Sequence, residues 1–161
     1  MRIINAGVSG DTTSGGLARL EWSLEQKPDA VILALGANDM LRAVDPKLTE
    51  ENLKKMLQTL KQKNIPVLLA GMKNVRNLAP FFGDGFQKIY KNLAKEYDAV
   101  YYPFLLEGVS SQPELNLADG IHPNTRGIAV IANGLLPYAE ELLEKVKKRD
   151  ELINNRNDVL Q

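Results

Sequence analysis

Alternating short apolar runs and amphipathic segments predict an α/β protein built on an open parallel sheet with helices on both faces. Two observations carry that prediction. Residues 30–35 (AVILAL) and 65–70 (IPVLLA) are almost continuously apolar, as strands covered on both faces of a parallel sheet are. The segments around them place apolar residues at helical spacing. In such a sheet the loops at the carboxyl ends of the strands carry the site. A chain of 161 residues suits one domain with a substantial core.

Taken in order, Arg2-Ile3-Ile4-Asn5-Ala6 reads as a strand that begins with no lead-in. Residues 7–16 (GVSGDTTSGG) form a turn-rich loop feeding a helix with Leu17, Leu20 and Leu24 on one face. The apolar run at 30–35 is the second strand, followed by Gly36-Ala37-Asn38-Asp39. A helix is expected from about Thr49, with Glu50 and Glu51 in its first turn and Leu53, Met56, Leu57 and Leu60 facing the core. Pro66 stands at the entrance of the third strand, where a missing N–H does least harm. Residues 71–85 read as a long loop, Phe86, Ile89, Tyr90, Leu93 and Tyr97 as a helix face, and residues 99–102 as a fourth short strand. An irregular stretch, 105–116, precedes the last helix. That helix begins near Asn124 or Thr125, carries Ile128, Ile131, Ala132, Leu135, Ala139, Leu142 and Val146, and should kink at Pro137. One domain over residues 1–147 and a polar, solvated extension over 148–161, either irregular or a frayed helix, are expected.

Composition excludes several classes. Twenty basic residues balance twenty acidic ones without a basic run before the C-terminal end, so nothing marks a nucleic-acid partner. The absence of cysteine removes disulfides, thiolate nucleophiles and cysteine-ligated zinc, and a single histidine argues against a dedicated transition-metal site. No apolar run approaches the roughly 20 residues of a membrane helix. The N-terminus is not a signal peptide, so the sequence as written reads as soluble and cytoplasmic.

The strongest chemical signal is Asp119-Gly120-Ile121-His122-Pro123-Asn124. His122 is the only histidine, and a carboxylate three residues before it can fix its tautomer while the other ring nitrogen exchanges a proton near neutrality. Gly120 lets the backbone turn, and Pro123 biases His122 towards an extended conformation. Gly10, in the loop before a helix, can turn backbone N–H groups towards an anion; Asn38 can donate its side-chain amide to a developing oxyanion. Each feature alone also suits a turn or a cap. Together they supply a base, its orienting carboxylate and two oxyanion donors, most of the equipment for acyl transfer. The nucleophile is the open question. Ser9, in Gly7-Val8-Ser9-Gly10-Asp11, comes near a nucleophile elbow but has Asp11 in place of the last glycine.

Ser9-Gly10-Asp11-Thr12, Gly36-Ala37-Asn38-Asp39 and Asp119-Gly120-Ile121-His122-Pro123-Asn124 resemble, in order, the second, third and fifth blocks of the SGNH (GDSL) hydrolases. The segments Gly16-Leu17-Ala18-Arg19-Leu20, Leu93-Ala94-Lys95-Glu96-Tyr97 and Pro103-Phe104 are similar to the thioesterase I/lysophospholipase/arylesterase branch, and the resemblance spans about residues 1–143. It implies a three-layer α/β/α flavodoxin-like fold and hydrolysis of a small ester or thioester through an acyl-serine. No metal or cofactor is implied. By resemblance His122 is the general base, Asp119 its partner, and the Gly10 N–H and Asn38 amide form the oxyanion hole.

The departure lies at the N-terminus. The family carries its nucleophile in a Gly-Asp-Ser-Leu block after a central first strand, and neither block nor strand is found here. Three readings follow. Met1 is an internal start of a longer esterase; or the chain is a silent acyl- or acetyl-binding module that closes its sheet or forms a homo-oligomer through exposed sheet edges; or Ser9 has become the nucleophile. Many members of the family are exported, which leaves a periplasmic or secreted location open in the first case.

Overall fold

The computed structural model describes residues 1–73 and 85–159. Its centre is a three-stranded parallel sheet of β1 (Val31–Leu33), β2 (Val67–Ala70) and β3 (Val100–Tyr102), in the order β1-β2-β3. Ile32 pairs with Leu68 and Leu68 with Val100, so these three side chains share one face. Leu33, Val67, Leu69 and Tyr101 face the other way. Helices α1 (Thr13–Ala18), α2 (Leu20–Leu24), α4 (Pro46–Gln62) and α5 (Gly85–Glu96) build the main core on that second face, around Leu53, Met56, Leu57, Phe86, Tyr90 and Leu93. A short helix α3 (Ala37–Leu41) follows β1, and α6 (Thr125–Val159) covers the first face over β2 and β3. The result is the α/β arrangement expected, with one helical layer on each side of the sheet.

The helix expected from Thr49 begins earlier. Asp45 accepts the Lys47 N–H at 2.9 Å, and Pro46 occupies the first helical position, where its missing N–H costs nothing. Apolar periodicity starts only at Leu53, which is why it conceals this first turn. Glu50 and Glu51 therefore lie beyond the first turn, while Thr49 and Asn52 are buried.

The opening strand is not formed. Residues 1–8 have no regular structure, and Ile3 is 84% exposed. A strand exists only as one side of a ladder, and the described sheet ends at β1. For the same reason the run 30–35 is not covered on both faces. Ile32 is 49% exposed although its register partner Leu68, and Val100 beyond it, are buried, because α6 lies over β2 and β3. The apolar face expected of the last helix is correspondingly uneven: Leu142 is buried and Ile131 and Leu135 are half-buried, whereas Ile128 is exposed.

That helix continues through Pro137, which deprives the Asn133 carbonyl of its usual donor without ending the helix. It also runs on through residues 148–159, so the expected polar extension is a helix, with residues 150–155 exposed. Arg149 anchors this part, donating to the Asp29 carbonyl at 2.9 Å and the Asn64 carbonyl at 3.4 Å, in the loops before β1 and β2. Residues 74–84 of the expected long loop lie outside the described residues. Among the described residues no helix is long and apolar enough to cross a membrane.

Truncation of the buried Leu69 to Ala should cost about 2–5 kcal/mol in urea unfolding, as for other buried leucines. The Ile128→Ser variant should stay within about 0.5 kcal/mol of the parent, since its side chain is exposed. A loss above about 2 kcal/mol at Ile128 would mean that this face is covered in solution.

Candidate active site

Asp119 organises its own turn. One carboxylate oxygen accepts the backbone N–H groups of both Ile121 and His122 at 2.9 Å, and the other meets His122 Nδ1 at 2.8 Å. Gly120, at φ 68°, makes the reversal possible. The backbone N–H groups of His122 and Ile121, and then the imidazole, hold the Asp119 carboxyl below its ordinary 3.8, at about 2. The segment is closed behind the pair: Leu117 N–H donates to the His122 carbonyl at 2.7 Å, and Asn116 bridges Pro123. Asn124 then caps α6, accepting from the N–H groups of Arg126 and Gly127 while its amide donates to the Glu114 and Asn116 carbonyls. His122 thus stands on the entry to a long helix, its Nδ1 against a carboxylate and its Nε2 edge open; its side chain is 63% exposed. A hollow lined by Ser111, Pro113, Asn116, Leu117 and Gly120 adjoins it.

Gly10 and Asn38 are brought together beyond the carboxyl end of β1. Gly10 lies in the turn closed by Asp11 N–H on the Val8 carbonyl, with φ 76°, and its carbonyl accepts Arg42 at 2.8 Å. Its own N–H has no acceptor among the described residues. Asn38 sits in the first turn of α3 and spends one amide hydrogen on the Asp11 carbonyl at 3.0 Å; the second is uncommitted among the described residues. Gly36, left-handed at φ 107°, turns the chain from β1 into α3. Any side chain there would strike the Tyr90 hydroxyl, which lies 2.0 Å from an ideal Cβ and donates to the Leu35 carbonyl at 2.7 Å. Burial first, and then the Asp39 charge, push the Tyr90 hydroxyl pKa up, so it remains a neutral donor.

The structure therefore assembles two pairs, Asp119 with His122 and the Gly10 turn with Asn38. Among the described residues no hydrogen bond or ion pair joins one pair to the other, and none joins Ser9 to His122. Ser9 lies exposed in the Gly10 turn. Three residues that shape this site carry no spacing signal. Arg19 reaches from the junction of α1 and α2 to Asp11 at 2.7 Å and to the Ala6 carbonyl at 2.6 Å, Arg42 holds Gly10, and Asp39, next to Asn38, is wholly buried. A charged residue in an otherwise apolar strand–loop–helix junction, as Asp39 is, was the one hint available.

The model of the GDSL-like lipase/acylhydrolase family matches residues 1–130, which include both pairs. The chain belongs to that family. It is 38% identical over 142 residues to the thioesterase 1/protease 1/lysophospholipase L1 of Escherichia coli strain K12, covering 88% of this chain and 68% of that one. The crystal structure of TesA superposes on it with a TM-score of 0.83 at 37% identity, covering 88% of this chain and 79% of the other. AlinE4, an SGNH-hydrolase family esterase, is 41% identical with a TM-score of 0.71, over 88% and 77% of the two chains. In this family member the Asn38 segment leaves the carboxyl end of β1, the Gly10 turn follows the irregular residues 1–8, and His122 stands just before α6.

Because the Asp119 carboxyl titrates lower when folded than when unfolded, its hold on the turn is complete above about pH 4 and is lost as pH falls through about 2. The amide resonances of Ile121 and His122 should follow that lower midpoint in an acid titration. A midpoint near 4 would mean that the two backbone hydrogen bonds do not form.

Proposed function

We propose that the site hydrolyses small carboxylic esters and thioesters, with His122 as general base, Asp119 as its orienting carboxylate, and the Gly10 N–H and Asn38 amide as oxyanion donors. The observation that supports this most is the Asp119–His122 pair, in which one ring nitrogen is held at 2.8 Å and the other is open to solvent. A serine hydroxyl adding to the acyl carbonyl gives its proton to His122 Nε2, and the carbonyl oxygen becomes an oxyanion within reach of the two uncommitted donors. Collapse expels the alcohol or thiol, which takes the proton back from His122. Water then repeats the sequence on the acyl-serine. The names of the relatives, a thioesterase and lysophospholipase and an esterase, support ester and thioester substrates.

Labelling with a fluorophosphonate, read by intact mass and peptide mapping, tests the proposal on the chain itself. A histidine-dependent adduct on Ser9 would make that serine the nucleophile, although among the described residues no hydrogen bond joins it to His122. The adduct is expected instead on the serine of an added upstream Gly-Asp-Ser-Leu segment, and in that extended chain His122→Ala should lower kcat on an aryl ester or acyl thioester by about a thousandfold or more. Near-parental turnover in His122→Ala would overturn the assignment.

A second reading, a non-catalytic acyl-binding or self-associating protein, is favoured by one observation. Val31 N–H donates to the carbonyl of Pro66, just before β2, and Val31 pairs with Val67, so the backbone groups of Ile32 turn to the edge of β1 that is free among the described residues, beside an exposed apolar side chain. On this reading a second copy pairs along β1. Ligand binding without any adduct, together with a concentration-dependent dimer in sedimentation, would favour it.

A further inference from the structure

Beneath the Gly10–Asn38 pair lies a polar cluster that the proposed chemistry does not use. Asp39 is fully buried, and so are Thr13 and Thr49; Asn52 is 4% exposed. One Asp39 oxygen accepts the Thr13 backbone N–H at 2.8 Å, and the other accepts the hydroxyls of Thr13 and, at 3.2 Å, Thr49. Asn52 adds a donor to the Thr13 hydroxyl at 3.2 Å and to Ser14 at 2.9 Å. Three segments far apart in sequence, α1, α3 and α4, therefore meet on one carboxylate. Asn38 and its contact to Asp11 lie next to that carboxylate in both chains of the link: Asn38 precedes Asp39, and Asp11 precedes Thr13 by two residues.

We propose that Asp39 is a positioning residue of the oxyanion hole: by gripping Thr13 it fixes the turn carrying the Gly10 N–H at a set distance from the Asn38 amide. The inference rests on the reading of Gly10 and Asn38 as oxyanion donors, but the positional claim can be tested without turnover. One carboxylate oxygen accepts a backbone N–H and the other accepts two hydroxyls. In Asp39→Asn only one of the two acceptors remains: with the NH2 group towards the Thr13 N–H that donor is orphaned, and with it towards the Thr13 and Thr49 hydroxyls their shared acceptor is lost. A generic packing role would weaken the whole core instead. The two differ in where the effect appears.

The experiment compares the parent chain, Asp39→Asn, Thr13→Ser, Thr13→Val and the packing control Leu57→Ala by amide hydrogen exchange and by the side-chain amide resonances of Asn38. Asp39→Asn should lower protection of the Thr13 amide by at least about tenfold relative to that of Leu69 in β2, and should move the Asn38 resonances. Thr13→Ser, which keeps both donors, should preserve the parental pattern. Thr13→Val, which loses the hydroxyl alone, should move Asn38 while remaining folded, and decides the matter if Asp39→Asn does not fold. Leu57→Ala should lower Thr13 and Leu69 protection together and leave Asn38 in place. Unmoved Asn38 resonances in both Asp39→Asn and Thr13→Val overturn the proposal, whatever the chain hydrolyses. Where the parent turns over an aryl ester, Asp39→Asn should lower kcat by about tenfold to a thousandfold with little change in KM. A parental kcat alongside displaced Asn38 resonances also overturns it. Absence of any histidine-dependent adduct even with an upstream Gly-Asp-Ser-Leu segment added, while Asn38 and Thr13 stay coupled to Asp39, defeats the hydrolase reading alone.

Discussion

The hydrogen bond from the buried Thr13 N–H to the Asp39 carboxylate holds together the half of the molecule that precedes β2. The first N–H groups of a helix have no partner within it, and burying them unpaired is costly. Here a side chain from the next strand–helix junction supplies the partner, so satisfying α1 also brings the Gly10 turn against Asn38. Packing then has a fixed frame to fill. The cluster of Leu53, Met56, Leu57 and Tyr90 closes around this junction.

The same device recurs around the second half of the site. Asp119 takes two backbone N–H groups in its turn and Asn124 takes two at the start of α6. Short side chains with acceptors at their tips let a loop satisfy its backbone without joining a ladder. For Asp119 the consequence is chemical as well as structural. The hydrogen bonds that shape the turn also stabilise the carboxylate as an anion, and that anion faces the imidazole. A histidine held this way has a set orientation and one nitrogen free for proton exchange.

Much of this was legible from residue order. The continuous apolar character of residues 65–70 marked a strand that is fully buried, and Leu53, Met56, Leu57 and Leu60 marked the buried face of α4. The aspartate–histidine spacing located a hydrogen-bonded pair, because residues three apart across a glycine turn have few ways to separate. Arg2–Ala6 and Ile128 read equally apolar yet are exposed. Hydrophobic character states what a segment can bury, and only a neighbouring strand or layer decides whether it does.

The sequence by itself determined the α/β class, the helix faces, the Asp119–His122 turn and membership of an acylhydrolase family, since each depends on residues near one another in the chain or on an ordered set of short motifs. Tertiary structure decided three other matters. It left β1 at the edge of the sheet, tied the far end of α6 back through Arg149, and placed Asp39 under the Gly10–Asn38 pair. Each of these depends on contacts between segments tens of residues apart, and their partners are chosen by geometry and by the need to pair buried polar groups, which no local pattern records.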